Sequence, residues 1–218
     1  MFRFFKQSGA NEPSTPSLDS VRFDTDGYES AGEPQPGRVR VWFTPDDDSV
    51  SLHLFPIPPD LPASARTEAE IGAVHAARLK ESGGRVVETS VLRVGGVPAV
   101  RFLFKIPKQP TGMVYVGSFT LPFRDFSFVV KVQAEERGIT GVRETVLVEQ
   151  ALASGAATPS SIFDLPGWNP DAEAFDAEFP NHPVSRARRV LDRVARSLTI
   201  EPAIAGLPGF PLPEISEP

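Results

Sequence analysis

The chain has 218 residues, with 22 Lys or Arg against 28 Asp or Glu and a formal net charge of -6. Hydrophobic residues make up 40% and charged residues 23%, the balance of a globular chain long enough to bury a sizeable core. There is no cysteine and no apolar run near the ~20 residues of a membrane helix, so disulfides, thiolate chemistry, zinc–thiolate sites and membrane insertion are not expected. The acidic balance likewise argues against nucleic acid as a partner.

Residues 1–20 read as a flexible N-terminal arm, polar and turn-rich after Phe4-Phe5. That apolar pair is far short of the roughly 7–15 residues at the centre of a secretory leader, so a cytoplasmic location is expected. Val21, Phe23 and Tyr28 indicate a short strand or two, and residues 30–37 a loop. From Arg38, Val39, Val41 and Phe43 alternate with Arg40 and Trp42. After Pro45-Asp46-Asp47-Asp48, Val50, Leu52 and Leu54 alternate with Ser51, His53 and Phe55. This is the pattern of a hairpin with one face on a core. Thr67 and Glu70 then make a capping-box pattern. Ile71, Val74, His75 and Leu79 share one helical face, and Gly83-Gly84 ends the helix.

Strands are expected at 86–94, 97–106, 113–121 and 126–134, with Gly95-Gly96 as a two-residue hairpin turn. In the second of these, Val100, Phe102, Phe104 and Ile106 are expected inward, with Arg101 and Lys105 outward. A second helix is expected at 140–153, and a long connection without a clear element at 155–182. A third helix covers 183–199, with Pro183 in its first turn. Val184, Ala187, Leu191, Val194, Ala195 and Leu198 form its apolar stripe. The tail 201–218, with five prolines and two glycines, is expected to lack regular structure, though Ile204, Leu207, Phe210 and Leu212 are able to pack. The reading is one α+β domain over 21–200, an antiparallel sheet of about six to seven strands covered by helices, with 155–182 as an insertion-like loop.

This order resembles the PsbP-like fold, shared with the Ran-binding Mog proteins and the DcrB-type bacterial proteins. Three stretches carry the likeness: residues 84–106, with a strand, the Gly95-Gly96 turn and an apolar strand; residues 126–134; and residues 188–200, ending Ser197-Leu198-Thr199-Ile200. The segment 140–182 departs from the compact pattern of that group. The resemblance brings no catalytic residues with it. It implies binding, since photosystem subunits, a GTPase regulator and secretion-effector chaperones share the fold, and fold alone does not choose among them.

The residues themselves offer few catalytic signals. His53, His75 and His182 are far apart in sequence, without metal-ligand spacing, so no metal site and no cofactor are expected. His75 reads as a satisfied histidine on an apolar face, and His182-Pro183 as a helix start. Asp24-Thr25-Asp26-Gly27 and Asp46-Asp47-Asp48 read as acidic turns. Gly-x-Ser-x-Gly, phosphate-loop and dinucleotide fingerprints are absent. The most informative pattern is charge. No Lys or Arg occurs from Glu144 to Ser185, and then Arg186, Arg189, Arg193 and Arg196 fall on one helical stripe. They form either a solvated face paired with the acidic loop upstream or a site for an acidic partner. Trp168, Phe175 and Phe179 punctuate that loop, as packing anchors or as a partner-binding edge. The function expected is a non-catalytic, bacterial-type protein-binding domain: an adaptor, chaperone or immunity-like partner. The alternative is a small-ligand binder or enzyme using a Phe-lined pocket near His53 or His75.

Overall fold

The structure, a computed structural model, describes residues 15–155, 158 and 169–214. Its first element is a 3-10 turn over Leu18–Ser20 that buries Leu18. The arm expected over residues 1–20 is thus anchored at its end, while residues 1–14 lie outside the described part. Four strands follow: β1 (Val21–Arg22), β2 (Glu29–Gln35), β3 (Val39–Phe43) and β4 (Ser49–Phe55). After helix α1 (Glu68–Lys80) comes the meander β5 (Arg85–Val94), β6 (Val97–Pro107), β7 (Met113–Pro122) and β8 (Ser127–Glu135). Helices α2 (Val142–Ala153) and α3 (Pro183–Ser197), strand β9 (Thr199–Ile200) and the single-turn α4 (Pro202–Ala205) complete the order.

Seven strands form one antiparallel sheet in the order β2-β3-β4-β8-β7-β6-β5, and β1 pairs with β9 in a small second sheet. The N-terminal hairpin joins the meander along β4 and β8, with Val50, Leu52 and Leu54 opposite Val132, Val130 and Phe128. All six of these residues are buried and share one face, which is why the join is in this register. Trp42 lies opposite Val50 and so belongs to that face, where it meets Phe23 edge-on at 5.3 Å. Val39, Val41 and Phe43 face the other side.

Helix α3 covers the Val130 face, over β7 and β8. His182 caps it and Pro183 occupies its first turn. Val184, Ala187, Leu191 and Val194 are fully buried against the sheet, and each Val or Leu contributes about 1.5–3 kcal/mol on burial. The opposite face is covered only in part. There α1 packs on β5, with Ala65, Ile71, Val91 and Val100 in a small separate cluster. Glu68 at the start of α1 accepts the Val91 N–H at 2.6 Å, which closes part of the β5 edge.

Three expectations need correction. Residues 30–37 are not simply a loop, because β2 pairs with β3 through two register shifts. Both its faces are exposed, so no alternation marks it in the sequence. The tail does hold regular structure. Pro202 starts α4, Ile204 is fully buried, and Phe123 bridges Gly209. Proline is compatible with a first helical turn. Finally, β6 has no outward face toward Arg101 and Lys105. Both lie on the α3 side, where Arg101 meets Asp192 at 2.7 Å and Lys105 meets Asp171 at 2.6 Å. A central strand is covered on both faces, so alternation of charge does not identify the solvent side. Among the described residues no helix is long and apolar enough to cross a membrane.

Gly117 on β7 lies close against α3. A Cβ there would lie 2.7 Å from Leu191 Cδ1, inside the buried core. Gly117→Ala is expected to lower stability by about 1–3 kcal/mol, as overpacking does. Chemical denaturation of the two proteins checks this, and equal midpoints would refute the close-packed α3–β7 contact.

Candidate functional site

Helix α3 turns its apolar stripe to the sheet and distributes its arginines among three different environments. Arg186 is buried and forks onto Asp48, with Nε and Nη2 each 2.8 Å from a carboxylate oxygen. Its Nη2 also donates to the Glu135 carbonyl at 3.0 Å. Arg189 reaches Asp46 at 2.9 Å and the Pro180 carbonyl at 3.0 Å, at the surface. Arg193 donates to Asp24 at 2.7 Å and lies 4.8 Å over the Tyr28 ring. That hydrogen bond holds the Asp24 carboxyl below its ordinary range. Arg196 is exposed and has no ion pair or hydrogen bond among the described residues. The ion pairs of the stripe therefore go to the two acidic turns of the N-terminal third, and only the backbone carbonyls of Pro180 and Asn181 tie it to the segment just before the helix.

That upstream segment pairs instead with two arginines outside the stripe. Arg143, at the start of α2, is completely buried. It donates to the carbonyls of Pro170 and Ala172 at 2.7 Å each, and to Asp176 and Ser185 at 2.9 Å each. Arg188 donates to both oxygens of Asp176 at 2.8 and 2.9 Å, to Glu88 at 2.5 Å, and to the Asp171 carbonyl. Ser185 also donates to Asp176 at 2.9 Å. Sequence reasoning passed over Arg143. The signal was its spacing of four from Leu147, the other buried residue of α2.

Beneath this layer, Lys105, Tyr115 and Asp171 form a closed set. Lys105 Nζ is 2.6 Å from Asp171, and the Tyr115 hydroxyl donates to Asp171 at 2.8 Å. Glu144 is 3.6 Å from the same ammonium. Burial first, and then the Asp171 charge, hold the Tyr115 phenol well above its usual range. It is therefore a hydrogen-bond donor at neutral pH, not a base. His182 stands edge-on to the Tyr115 ring at 5.3 Å. Its Nδ1 accepts the Val184 N–H at 3.3 Å. Burial, then the nearby Arg143 charge, pushes its pKa down to about 4.

Glu136, Glu144 and His182 place ligand atoms within 4.8 Å of one another. Three features speak against a cation there. The Val184 contact leaves the proton of neutral His182 on Nε2, the nitrogen that faces the carboxylates. Both Glu136 oxygens already accept backbone N–H groups, from Gly141 and Met113, at 2.8 Å each. Lys105 supplies a positive charge beside Glu144.

The remaining histidines lie on the other face of the sheet. The Ser51 hydroxyl is 2.8 Å from His53 Nε2. No carboxylate is hydrogen-bonded to His53 among the described residues, so the pair lacks the third group that orients a nucleophile's base. Burial and Lys131 lower the His53 pKa, which keeps the ring neutral. His75 donates from Nδ1 to the Ile71 carbonyl at 2.9 Å and packs 4.6 Å from the Phe102 ring. A cavity of about 390 Å³ opens nearby, lined by Phe55, Ile57, Leu61, His75 and Val129 among others. Of the aromatic residues singled out in the acidic loop, Phe175 and Phe179 are half-buried, and Arg143 lies 5.6 Å from the Phe179 ring. Trp168 falls outside the described residues.

No protein-family model and no curated protein matches the chain. Several solved structures resemble its fold, among them the following two. Cyanobacterial PsbP (CyanoP) from Synechocystis sp. PCC 6803 aligns with a TM-score of 0.43 and 11% identity, over 91% of this chain and 98% of that one. LpqN of Mycobacterium tuberculosis, described as involved in cell envelope biogenesis, aligns with a TM-score of 0.41 and 14% identity, over 88% and 87%. The PsbP-like resemblance extends to the α+β layout and to nothing finer. Its Mog-like and DcrB-like parts rest on the sequence pattern alone.

Two consequences are measurable. Asp176→Ala leaves two buried guanidinium groups without their shared carboxylate, and is expected to cost about 3–5 kcal/mol. Hydrogen exchange should quicken first across 169–182; an unchanged exchange pattern there refutes the assignment. His182 has a folded pKa below its unfolded value, so unfolding takes up a proton between pH 6.5 and about 4. Stability from this group is present above that window and lost as pH falls through it, with a slope of up to about 1.4 kcal/mol per pH unit. His182→Asn keeps a capping acceptor and cannot titrate. It should flatten that part of the stability–pH curve, and an unaltered slope shows that His182 is not the group responsible.

Proposed function

We propose that the chain is a non-catalytic protein-binding domain, an adaptor-, chaperone- or immunity-like partner, that presents the outer face of α3 to an acidic segment of another protein. The observation that carries this reading is Arg196. It is exposed, without an ion pair among the described residues, and lies between two hollows of about 330 and 340 Å³ that both also include Arg189. The second hollow adds Arg193 and Tyr28. Arg189 and Asp46 pair at half exposure, where such a contact is worth only about 0–1 kcal/mol. An incoming carboxylate is able to take over Arg189 at little cost. Arg186 stands apart from this exchange, because Asp48 holds it in the interior. Phe175 and Phe179, half-buried in the segment leading into α3, extend the surface as aromatic anchors. Support on the negative side comes from the one hydroxyl–histidine pair described above, Ser51 and His53, which has no carboxylate to orient it among the described residues.

A second reading, a small-ligand binder, is favoured by the cavity beside His75. Phe55 and Ile57 are among the most exposed large apolar residues, and both line it.

The discriminating experiment compares capture from native lysate by the wild type and by Arg189→Glu/Arg196→Glu. Both positions are exposed, so the double variant should change stability by no more than about 0.5 kcal/mol per site. A protein partner recovered by the wild type, released by raised salt, and lost at least ~10-fold by the variant supports the α3 surface. Equal recovery by both removes the arginines from the interface. Recovery by neither moves attention to the Phe55–His75 cavity.

A further inference from the structure

The cavity beside His75 lies on the sheet face away from α3, and three parts of the chain build it. Strands β7 and β8 supply its floor, α1 one wall, and the connection from β4 to α1 the other. Thr120 lies opposite Val129 across the two strands, and Pro122 opposite Ser127. Thr120 and Ser127 are therefore diagonal neighbours on one face, roughly 7–8 Å apart, close enough for one ligand group to meet both hydroxyls. Both residues line the cavity, and so does His75. His75 Nδ1 donates to the Ile71 carbonyl at 2.9 Å, so Nε2 of the neutral ring is an acceptor. Neither hydroxyl, nor His75 Nε2, has a hydrogen-bond partner among the described residues, and none of the three is sealed from solvent.

The rest of the lining restricts what fits. Its carbon surface comes from Phe55, Ile57, Leu61 and Val129 with Pro58 and Pro59. Phe55 and Ile57 are 42% and 61% exposed, apolar area that a ligand at the mouth removes from water. A volume of about 390 Å³ lies at the lower end of the roughly 300–1,000 Å³ typical of small-molecule sites. Among the described residues the charged groups of the lining are Arg78 and Asp60, and they bind each other through two contacts of 2.7 and 3.0 Å. Their charges cancel, so an ionic ligand loses hydration without gaining an unpaired counter-charge. A hydrocarbon strips water from all three open polar atoms and replaces none of it. An ether or ketone accepts from the hydroxyls but offers nothing to Nε2. A hydroxyl accepts from Thr120 or Ser127 and donates to His75 Nε2.

We propose that this cavity binds a small neutral alcohol or phenol, its carbon body against Phe55, Ile57 and Val129 and its hydroxyl toward Thr120, Ser127 and His75. The inference rests on the small-ligand reading above and supplies the ligand's chemistry; it is independent of the α3 surface.

The test uses the full chain, labelled for NMR, titrated at neutral pH with three probes of one shape: 4-ethylphenol, its methyl ether 4-ethylanisole, and 4-ethylbenzoate. Titration to about 1 mM captures sub-millimolar affinity. The phenol is neutral there and the benzoate ionised. The phenol should give saturable shifts at the Ile57, Leu61 and Val129 methyl groups, and should bind at least ~5-fold tighter than either of the others. His75→Phe keeps a ring on the Phe102 contact but removes the acceptor, and should erase the preference for the phenol over its ether. A loss of packing alone weakens both probes equally and leaves that ratio as it was. Ile57→Asp alters the exposed mouth, and should weaken the phenol at least ~5-fold even if the first variant folds poorly. Equal binding of all three probes at the cavity overturns the hydroxyl assignment and leaves the small-ligand reading standing. A preference for the phenol that survives in His75→Phe overturns the assignment in the same way. Responses that stay linear for every probe, or that map away from the cavity, overturn the proposal and the small-ligand reading together.

Discussion

Asp176 accepts hydrogen bonds from Arg143, Arg188 and Ser185, at distances of 2.8 to 2.9 Å. These three side chains arrive from α2 and α3, and Arg143 continues to the carbonyls of Pro170 and Ala172. One carboxylate therefore ties two helices to a segment that has little regular structure of its own. Ion pairs of this kind contribute little net stability against an apolar alternative, because desolvation offsets attraction. Their effect is geometric. Removing any partner strands a buried charge, so the arrangement is held tightly once formed, and the 169–182 segment has a defined place.

The placement of that segment shapes everything on the α3 side. It puts His182 at the helix start, Asp171 over Lys105 and Tyr115, and Phe179 beside Arg143. Much of the charge on this face is consumed internally. At the outer rim Arg193 is held by Asp24, Arg189 pairs with Asp46 at the surface, and Arg196 has no ion pair among the described residues. The opposite face has a different character. It is covered by α1 at one end only, and its histidines are satisfied by Ser51 and by the Ile71 carbonyl. The two faces offer two kinds of surface: charged hollows on one, and on the other a cavity walled by aliphatic and proline side chains with one phenylalanine, Phe55.

The two acidic turns show how far local chemistry reaches. Asp24–Gly27 and Asp46–Asp48 read correctly as turns, and the Asp24 side chain does accept the Asp26 N–H at 2.9 Å. Nothing local indicates that Asp24, Asp46 and Asp48 also receive Arg193, Arg189 and Arg186 from more than a hundred residues away. Charge patterning along the chain suggested a nearer partner, the acidic stretch before α3. It failed because α3 lies flat across the sheet, and its sides look toward the β1–β2 and β3–β4 turns.

What the sequence determined by itself is what depends on neighbours within a few residues. The Gly95-Gly96 turn, the Thr67 cap, the Pro183 start, the apolar stripe of α3 and the alternation of β8 all follow from local dihedral preferences and periodicity. Together they were enough for an antiparallel α+β layout. Tertiary structure alone decided what depends on which surfaces meet. It set the join of β4 to β8, the exposed edge strand β2, the docking of Ile204, and the burial of Arg143, Lys105 and Arg186. A buried charge and a solvated one are the same letter in a sequence. Only the distant carboxylate that meets it makes burial affordable, and chain topology, not spacing, brings that carboxylate into place.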